Sequence, residues 1–416
     1  MAVNITKQAD QYLDSLAKAL EIPPSRYEQA ERSYKSLGDW LHREESTVAQ
    51  YDPEVFVQGS FKLGTVIRPI SSSEEYDVDC ACSLTALTKS DLSQASLKDL
   101  VGNEIKLYRK SKGISKEVHA GQRCWRLEYS DGAQFHMDIV PCLPNGTGQR
   151  QLLEARGFDI AFAESAIAIT DNEVREYPEI TDEWPRSNPK GYAQWFESRM
   201  GDVFDRRRNQ ILSEMRAKNI TASVEDIPIY RVRTPLQSAI MILKRHRDMM
   251  FAAGSTGNPK DKPISIIIST LAAHAYSGEE TIGHALLSIL SRMEDAIQHD
   301  GKNYVIRNPT DPLENFADKW EKHPERAKAF KNWLEQARKN FATAAEHTEY
   351  GEISNILESR IGRDLTETAN SAMLQASKPG RTTLLRSATA ASTSAPPIVS
   401  FADSDARVPK KPDGFA

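Results

Sequence analysis

The stretch from Val57 to Cys80, "VQGSFKLGTVIRPISSSEEYDVDC", decides the fold. It sets two small residues, Gly59 and Ser60, ahead of two carboxylates, Asp77 and Asp79, that stand in an otherwise apolar strand pattern. Side chains alternate along a strand, so Asp77 and Asp79 project from one face while Val78, Cys80 and Cys82 project from the other. Two like charges on neighbouring same-face positions repel. Such a pair is tolerated when it lies open to water or when a cation sits between the carboxylates, and magnesium prefers oxygen ligands of this kind.

Working outward, "EVFVQ" just upstream reads as a short strand. Downstream, "QRCWRLEYSDGAQFHMDIVP" reads as a hairpin, two alternating runs meeting at the turn-forming dipeptide Asp131-Gly132. In its second strand His136, Asp138 and Val140 share a face, and Phe135, Met137 and Ile139 line the face expected in the core. A third carboxylate on a second strand of the same sheet, flanked by residues that must be buried, is poorly explained by a solvated face. Three converging carboxylates can hold two magnesium ions about 4 Å apart, an arrangement that clamps the attacking and leaving oxygens of phosphoryl transfer. Gly59 then lets backbone approach a phosphate, and Ser60, at a turn into a short helix, offers a hydroxyl and backbone N–H groups to it.

Composition bounds the alternatives. The 416 residues suffice for two or three packed units, and 39% hydrophobic with 27% charged residues is the balance of a soluble globular chain. No apolar run reaches membrane-spanning length, and "MAVNITKQADQYLDSLAKAL" has no signal-peptide pattern, so a cytoplasmic location is expected. The four cysteines, Cys80, Cys82, Cys124 and Cys142, show neither a CxxC pair nor matching histidines, so no zinc site and no disulfide framework is expected. A net charge of −5 argues against strong nucleic-acid binding.

"GSFKLGT", "EYDVD" and "FHMDIVP" resemble the GS, DxD and D signature of the DNA polymerase β-like nucleotidyltransferases, and among them the bacterial cGAS/DncV-like nucleotidyltransferases (CD-NTases). "TPLQSAIMILKRHRDMMF", "PISIIISTLAAHAY" and "RNPTDPLENFADKW" resemble the helical second half of that family. The resemblance implies an α+β fold: a polymerase β-like domain with a mixed sheet and a long spine helix, plus a C-terminal helical domain, bilobal around a central cleft. It implies Asp77, Asp79 and Asp138 as catalytic metal ligands for two magnesium or manganese ions, with Gly59, Ser60, Lys244 and Ser265 on the donor phosphates. The residues alone leave Lys244 open between a cation snorkelling to the cleft and a surface lysine, Ser265 open as a helix cap, and Arg206 to Arg208 as a solvated helix face. The implied activity is synthesis of a cyclic di- or trinucleotide second messenger from NTPs, ATP among them, with release of pyrophosphate. That activity belongs to bacterial anti-phage signalling through a downstream cyclic-nucleotide effector.

The expected organisation is a catalytic domain with N-terminal helices over 1–200, a helical domain over 201–375 and a tail over 376–416. The helices are "TKQADQYLDSLAKALEI" and a proline-opened spine, "PPSRYEQAERSYKSLGDWLHREES". Two competing readings are a template-independent RNA-extending nucleotidyltransferase, which asks for a basic RNA track, and a catalytically silent scaffold, which has no need of the intact triad. The tail is rich in Ser, Thr, Ala and Pro and is expected to be disordered. Its ending "GFA" resembles the tails of those CD-NTases whose C-terminus, here Ala416, is joined to other molecules by ubiquitin-transfer-like enzymes.

Overall fold

The structure, a computed structural model, describes residues 4–71, 75–129, 135–217, 231–252 and 254–376. Met1–Met373 form one unit; a second, Leu374–Ala416, lies outside the described residues beyond its first three. The Asp131-Gly132 turn, the tail and Ala416 therefore lie outside them too.

Helix α1 (Lys7–Leu20) starts on Thr6, whose side chain accepts from the Ala9 N–H, and α2 (Pro24–Leu41) opens with proline at a position that needs no donor. Strand β1 (Pro53–Val57), the short helix α3 (Gly59–Leu63) and β2 (Tyr76–Leu84) follow. Then come α4 (Gln94–Ser111), β3 (His119–Ala120), β4 (Trp125–Tyr129), β5 (Phe135–Pro144), α5 (Gly146–Ala155), β6 (Ile167–Ile169) and β7 (Arg186–Ser187).

These strands form one mixed sheet in the order β1-β2-β5-β4-β3, with β6 on the far end of β5 and β7 on β6. Strands β2 and β5 run parallel because α4 and β3–β4 intervene as the crossover; the other pairs are antiparallel. One face of the sheet is apolar, with Val78, Cys80, Met137 and Ile139 fully buried beneath α2 and α4, whose Leu37, Leu41, Val101 and Ile105 join the same core. All four cysteines are free; Cys80, Cys82 and Cys142 are buried, and burial pushes the Cys82 thiol up to about 12.

The second half is mainly helical: α6 (Pro189–Ala217), α7 (Pro235–Met250), α8 (Ser265–Ala275) and α9 (Ile282–Arg292) come before two small hairpins. Those are β8 (Gln298–His299) with β9 (Tyr304–Val305) and β10 (Arg307–Asn308) with β11 (Asp311–Asn315). Helices α10 (Pro324–Glu346), α11 (Tyr350–Ile361) and α12 (Arg363–Ala376) complete the described chain. Helix α6 breaks at Gly201, whose φ of 47° is open to glycine and costly for other residues. The N-terminal α1 joins this helical core rather than the sheet: Tyr12, Leu13, Leu16 and Leu20 pack with residues of α7, α9 and α11. No helix among the described residues is long and apolar enough to cross a membrane.

Candidate active site

The parallel pairing of β2 with β5 puts Asp79 opposite Asp138 and Asp77 opposite His136. The alternation that buries Val78 and Met137 turns these polar side chains to the other face, so the three expected carboxylates share one patch of sheet. Immediately before β2's neighbour helix, the Gln58 N–H donates to the Asp79 carbonyl at 2.8 Å. Gly59 follows with φ 61°, and a Cβ there would overlap the Asp79 carboxylate. Glycine is required on two counts, backbone conformation and contact with the aspartate. The Ser60 hydroxyl makes no hydrogen bond among the described residues, whereas its carbonyl accepts the Thr65 N–H and closes the turn.

Charge is unevenly balanced across the patch. Asp138 is gripped by Arg126, which donates from Nε and Nη2 to its two carboxylate oxygens at 2.8 and 2.7 Å from the directly opposite position of β4. Asp77 forms a close ion pair with His136, which holds the Asp77 carboxyl below its usual range and raises the imidazole above its own. Asp79 has no such partner. Burial, with Asp77 and Asp138 adding repulsion, pushes its carboxyl up to about 6, opposed chiefly by the positive charge of Lys244.

No three His, Cys, Asp or Glu side chains among the described residues are arranged to hold a metal ion as they stand, since Asp138 is turned to Arg126 and Asp77 to His136. The donor set nevertheless fits a hard divalent cation: three carboxylates on adjacent strands, with a buried central one lacking a cationic partner of its own.

Lys244 is buried on α7, 6% exposed, which removes the surface-lysine alternative. Its Nζ donates to the Thr65 carbonyl at 2.8 Å, and burial lowers its pKa to about 8. Ser265 is the first residue of α8 and accepts from Arg247 Nη1 at 2.9 Å, while the helix makes no side-chain cap bond. Ser265 is not among the residues lining the cleft described below, whereas its neighbour Ile266 is. In the arginine run, Arg206 is exposed and pairs with Glu280, but Arg207 is half-buried and donates to the Arg233 and Glu280 carbonyls.

Gly59 and Asp79 form one wall of an open cleft of about 250 Å³, a little under the usual size of a drug-sized site. Lys62 and Asn188 add polar groups to it, and Tyr192 and Phe316 add aromatic ones. None of these four was marked by the sequence, and neither was Arg126. The signal for Arg126 was its same-face position in "WRLEY", but its partner depends on hairpin register.

Residues 53–141 match the family model described as cyclic GMP-AMP synthase DncV-like, nucleotidyltransferase domain. A curated relative from Roseivirga ehrenbergii, named c-di-GMP synthase, is 28% identical over 336 residues, 80% of this chain and 78% of the relative. Another from Bradyrhizobium diazoefficiens, cyclic dinucleotide synthase CdnG, is 24% identical over 326 residues, 75% of this chain and 70% of the relative. The solved structure of the Bradyrhizobium diazoefficiens CD-NTase CdnG in complex with GTP shares the fold, with a TM-score of 0.64 at 20% identity over 88% of this chain and 99% of that one.

Proposed function

We propose that the chain, similar over its nucleotidyltransferase domain to the cGAS/DncV-like family, is an enzyme of that family joining NTPs into a cyclic oligonucleotide, most simply a cyclic dinucleotide. The observation that carries this reading is the register that sets Asp79, which lines the cleft beside Gly59, opposite Asp138.

In this reading Asp77, Asp79 and Asp138 would hold two magnesium or manganese ions, which would supply neutralisation of the charge on the transferring phosphate and a lowered pKa for the attacking hydroxyl. Arg126 releases Asp138 as the site fills, and Asp138 takes the proton of the attacking ribose hydroxyl onto a carboxylate oxygen. A bond forms between that ribose oxygen and the α-phosphorus of the donor, and the bond to pyrophosphate breaks. Gly59 lets the donor phosphates approach the backbone, with the Ser60 hydroxyl directed to them. Lys244 holds the turn at Thr65 and contributes positive charge beside Asp79. The linear intermediate stays in the cleft, reverses, and the same groups close the ring. Tyr192 and Phe316 stack on bases and exclude water.

The location we propose is the cytoplasm, and the role is anti-phage signalling through an effector that binds the product. Incubation of the pure protein with four NTPs and magnesium, phosphatase treatment and mass spectrometry tests the activity. A phosphatase-resistant cyclic product is expected. A ladder of linear products sinks the cyclase reading in favour of RNA extension. The double variant Asp77→Asn/Asp79→Asn removes the charges but keeps the shapes, and product should fall by about a thousandfold or more while the fold survives. Near wild-type turnover by that variant refutes the site.

A further inference from the structure

At the far wall of the same cleft stands a carboxylate with no role so far. Glu314, on β11, lines the cleft together with Asn308, Asn188, Phe316 and Tyr192. It is held in place by a chain of hydrogen bonds. Asn308 is buried, and its Oδ1 accepts both the Thr310 N–H at 2.9 Å and the Thr310 hydroxyl at 3.0 Å. The Asn308 amide is thereby fixed with its Nδ2 outward, and that group donates to Glu314 Oε2 at 2.7 Å. Glu314 Oε1 accepts no hydrogen bond among the described residues. The hairpin itself is tied to the catalytic sheet, since Arg186 of β7 donates to Asp311 Oδ2 at 3.1 Å.

Burial also raises the Glu314 carboxyl above its ordinary range, with Asp311 adding repulsion. Ligand donors reaching this carboxylate would therefore relieve an existing cost. An acceptor-only group, oriented from behind and flanked by aromatic side chains, suits a flat ring that presents two adjacent N–H groups. Guanine has that pattern on its Watson–Crick edge, N1–H beside the N2 amino group. Adenine presents an acceptor at N1, which the carboxylate repels, and the pyrimidines offer no paired donors of this spacing.

We propose that Glu314 reads the Watson–Crick edge of a guanine base, making GTP a substrate of this cleft. Asn308 is the positioning residue behind it. The proposal rests on the nucleotide reading of the cleft and extends it from phosphate to base.

Calorimetric titration of the wild-type protein, in magnesium and with non-hydrolysable triphosphates, tests it without turnover. GTP should bind at least about tenfold tighter than ITP, which lacks the N2 amino group, while 7-deaza-GTP should bind like GTP because only its opposite edge differs. Equal affinity for GTP and ITP overturns the proposal. In the variant Glu314→Gln, one carboxylate oxygen becomes a donor facing a donor, so the GTP-over-ATP preference should fall by about tenfold or more. A preference within twofold of wild type, or equal loss of both nucleotides, assigns Glu314 a merely structural role. Failure to bind any nucleotide triphosphate refutes the underlying cleft reading instead, and the two failures are thus distinct. Should Glu314→Gln not fold, the wild-type GTP and ITP comparison still decides.

Discussion

Among single residues, Asp79 carries the most unfavourable charge in the site. Its carboxyl rises from 3.8 to about 6, so the folded protein takes up a proton the unfolded chain releases. The associated stability is fully present below about pH 4 and is lost as pH rises through about 6. By linkage the loss amounts to roughly 3 kcal/mol at neutral pH without metal. Asparagine mimics the protonated acid, so Asp79→Asn should melt a few degrees above wild type at pH 7.5, with the gap closing toward pH 4. Thermal melts in EDTA across that range check it, and a gap that is constant with pH refutes the assignment. Magnesium should raise the wild-type melting temperature and leave the variant nearly unmoved. The three aspartates were legible in the sequence because a strand repeats every two residues, which fixes the face of each side chain before any partner is known. Arg126 was not. A two-residue turn at Asp131-Gly132 pairs positions differently from the observed Tyr129↔Phe135 pairing, which leaves five residues between the strands and places Arg126 opposite Asp138.

At the scale of elements, α7 acts as a clamp on the chain that follows α3. Gln237 donates to the Leu63 carbonyl at 3.0 Å, Arg233 to Gly64 at 2.6 Å and Lys244 to Thr65 at 2.8 Å, and Arg245 reaches Arg68. Four residues of the helix and the segment just before it thus satisfy the carbonyls of Leu63 at the end of α3 and of Gly64, Thr65 and Arg68 in the loop that follows. Helical periodicity and the opening "TPLQ" made this helix predictable, with Thr234 and Gln237 forming a capping box. The clamp was hidden, because it depends on which loop the helix meets. "RNPTDPLENFADKW" resembles part of a helical half, yet it supplies the β10–β11 hairpin, since Asn308 and Asp311 satisfy backbone N–H groups locally and favour turns over helix. Gln237→Ala should cost about 2–4 kcal/mol, because it leaves the Leu63 carbonyl and the Thr234 N–H without their buried partners. Amides of 64–68 should then exchange hydrogen markedly faster, and unchanged protection there means the clamp is not what orders the loop.

For the molecule as a whole, the two large apolar cores among the described residues have to be held as one unit. The sequence order groups α1 with the sheet, since it enters the chain just before the spine helix, and the apolar stripe of an amphipathic helix does not say which core it will enter. Its buried face belongs to the helical core, while its last turn touches the other half: the Leu20 carbonyl accepts the Arg68 N–H at 3.0 Å, and Arg68 Nε donates to the Glu21 carbonyl at 2.6 Å. Helix α1 therefore ties the start of the chain to both the helical core and the loop clamped by α7. If this tie and the clamp couple the two cores, the protein unfolds in a single calorimetric transition. Leu16 is fully buried at the centre of α1's apolar face, and Leu16→Ala removes its packing from the helical core, an expected loss of about 2–5 kcal/mol. Because the damage lies in one core only, the variant separates the possibilities. With coupled cores the single transition moves down intact. Two resolved transitions, of which only one has shifted, would show that the sheet core and the helical core unfold independently and that α1 is no more than a passenger on the second.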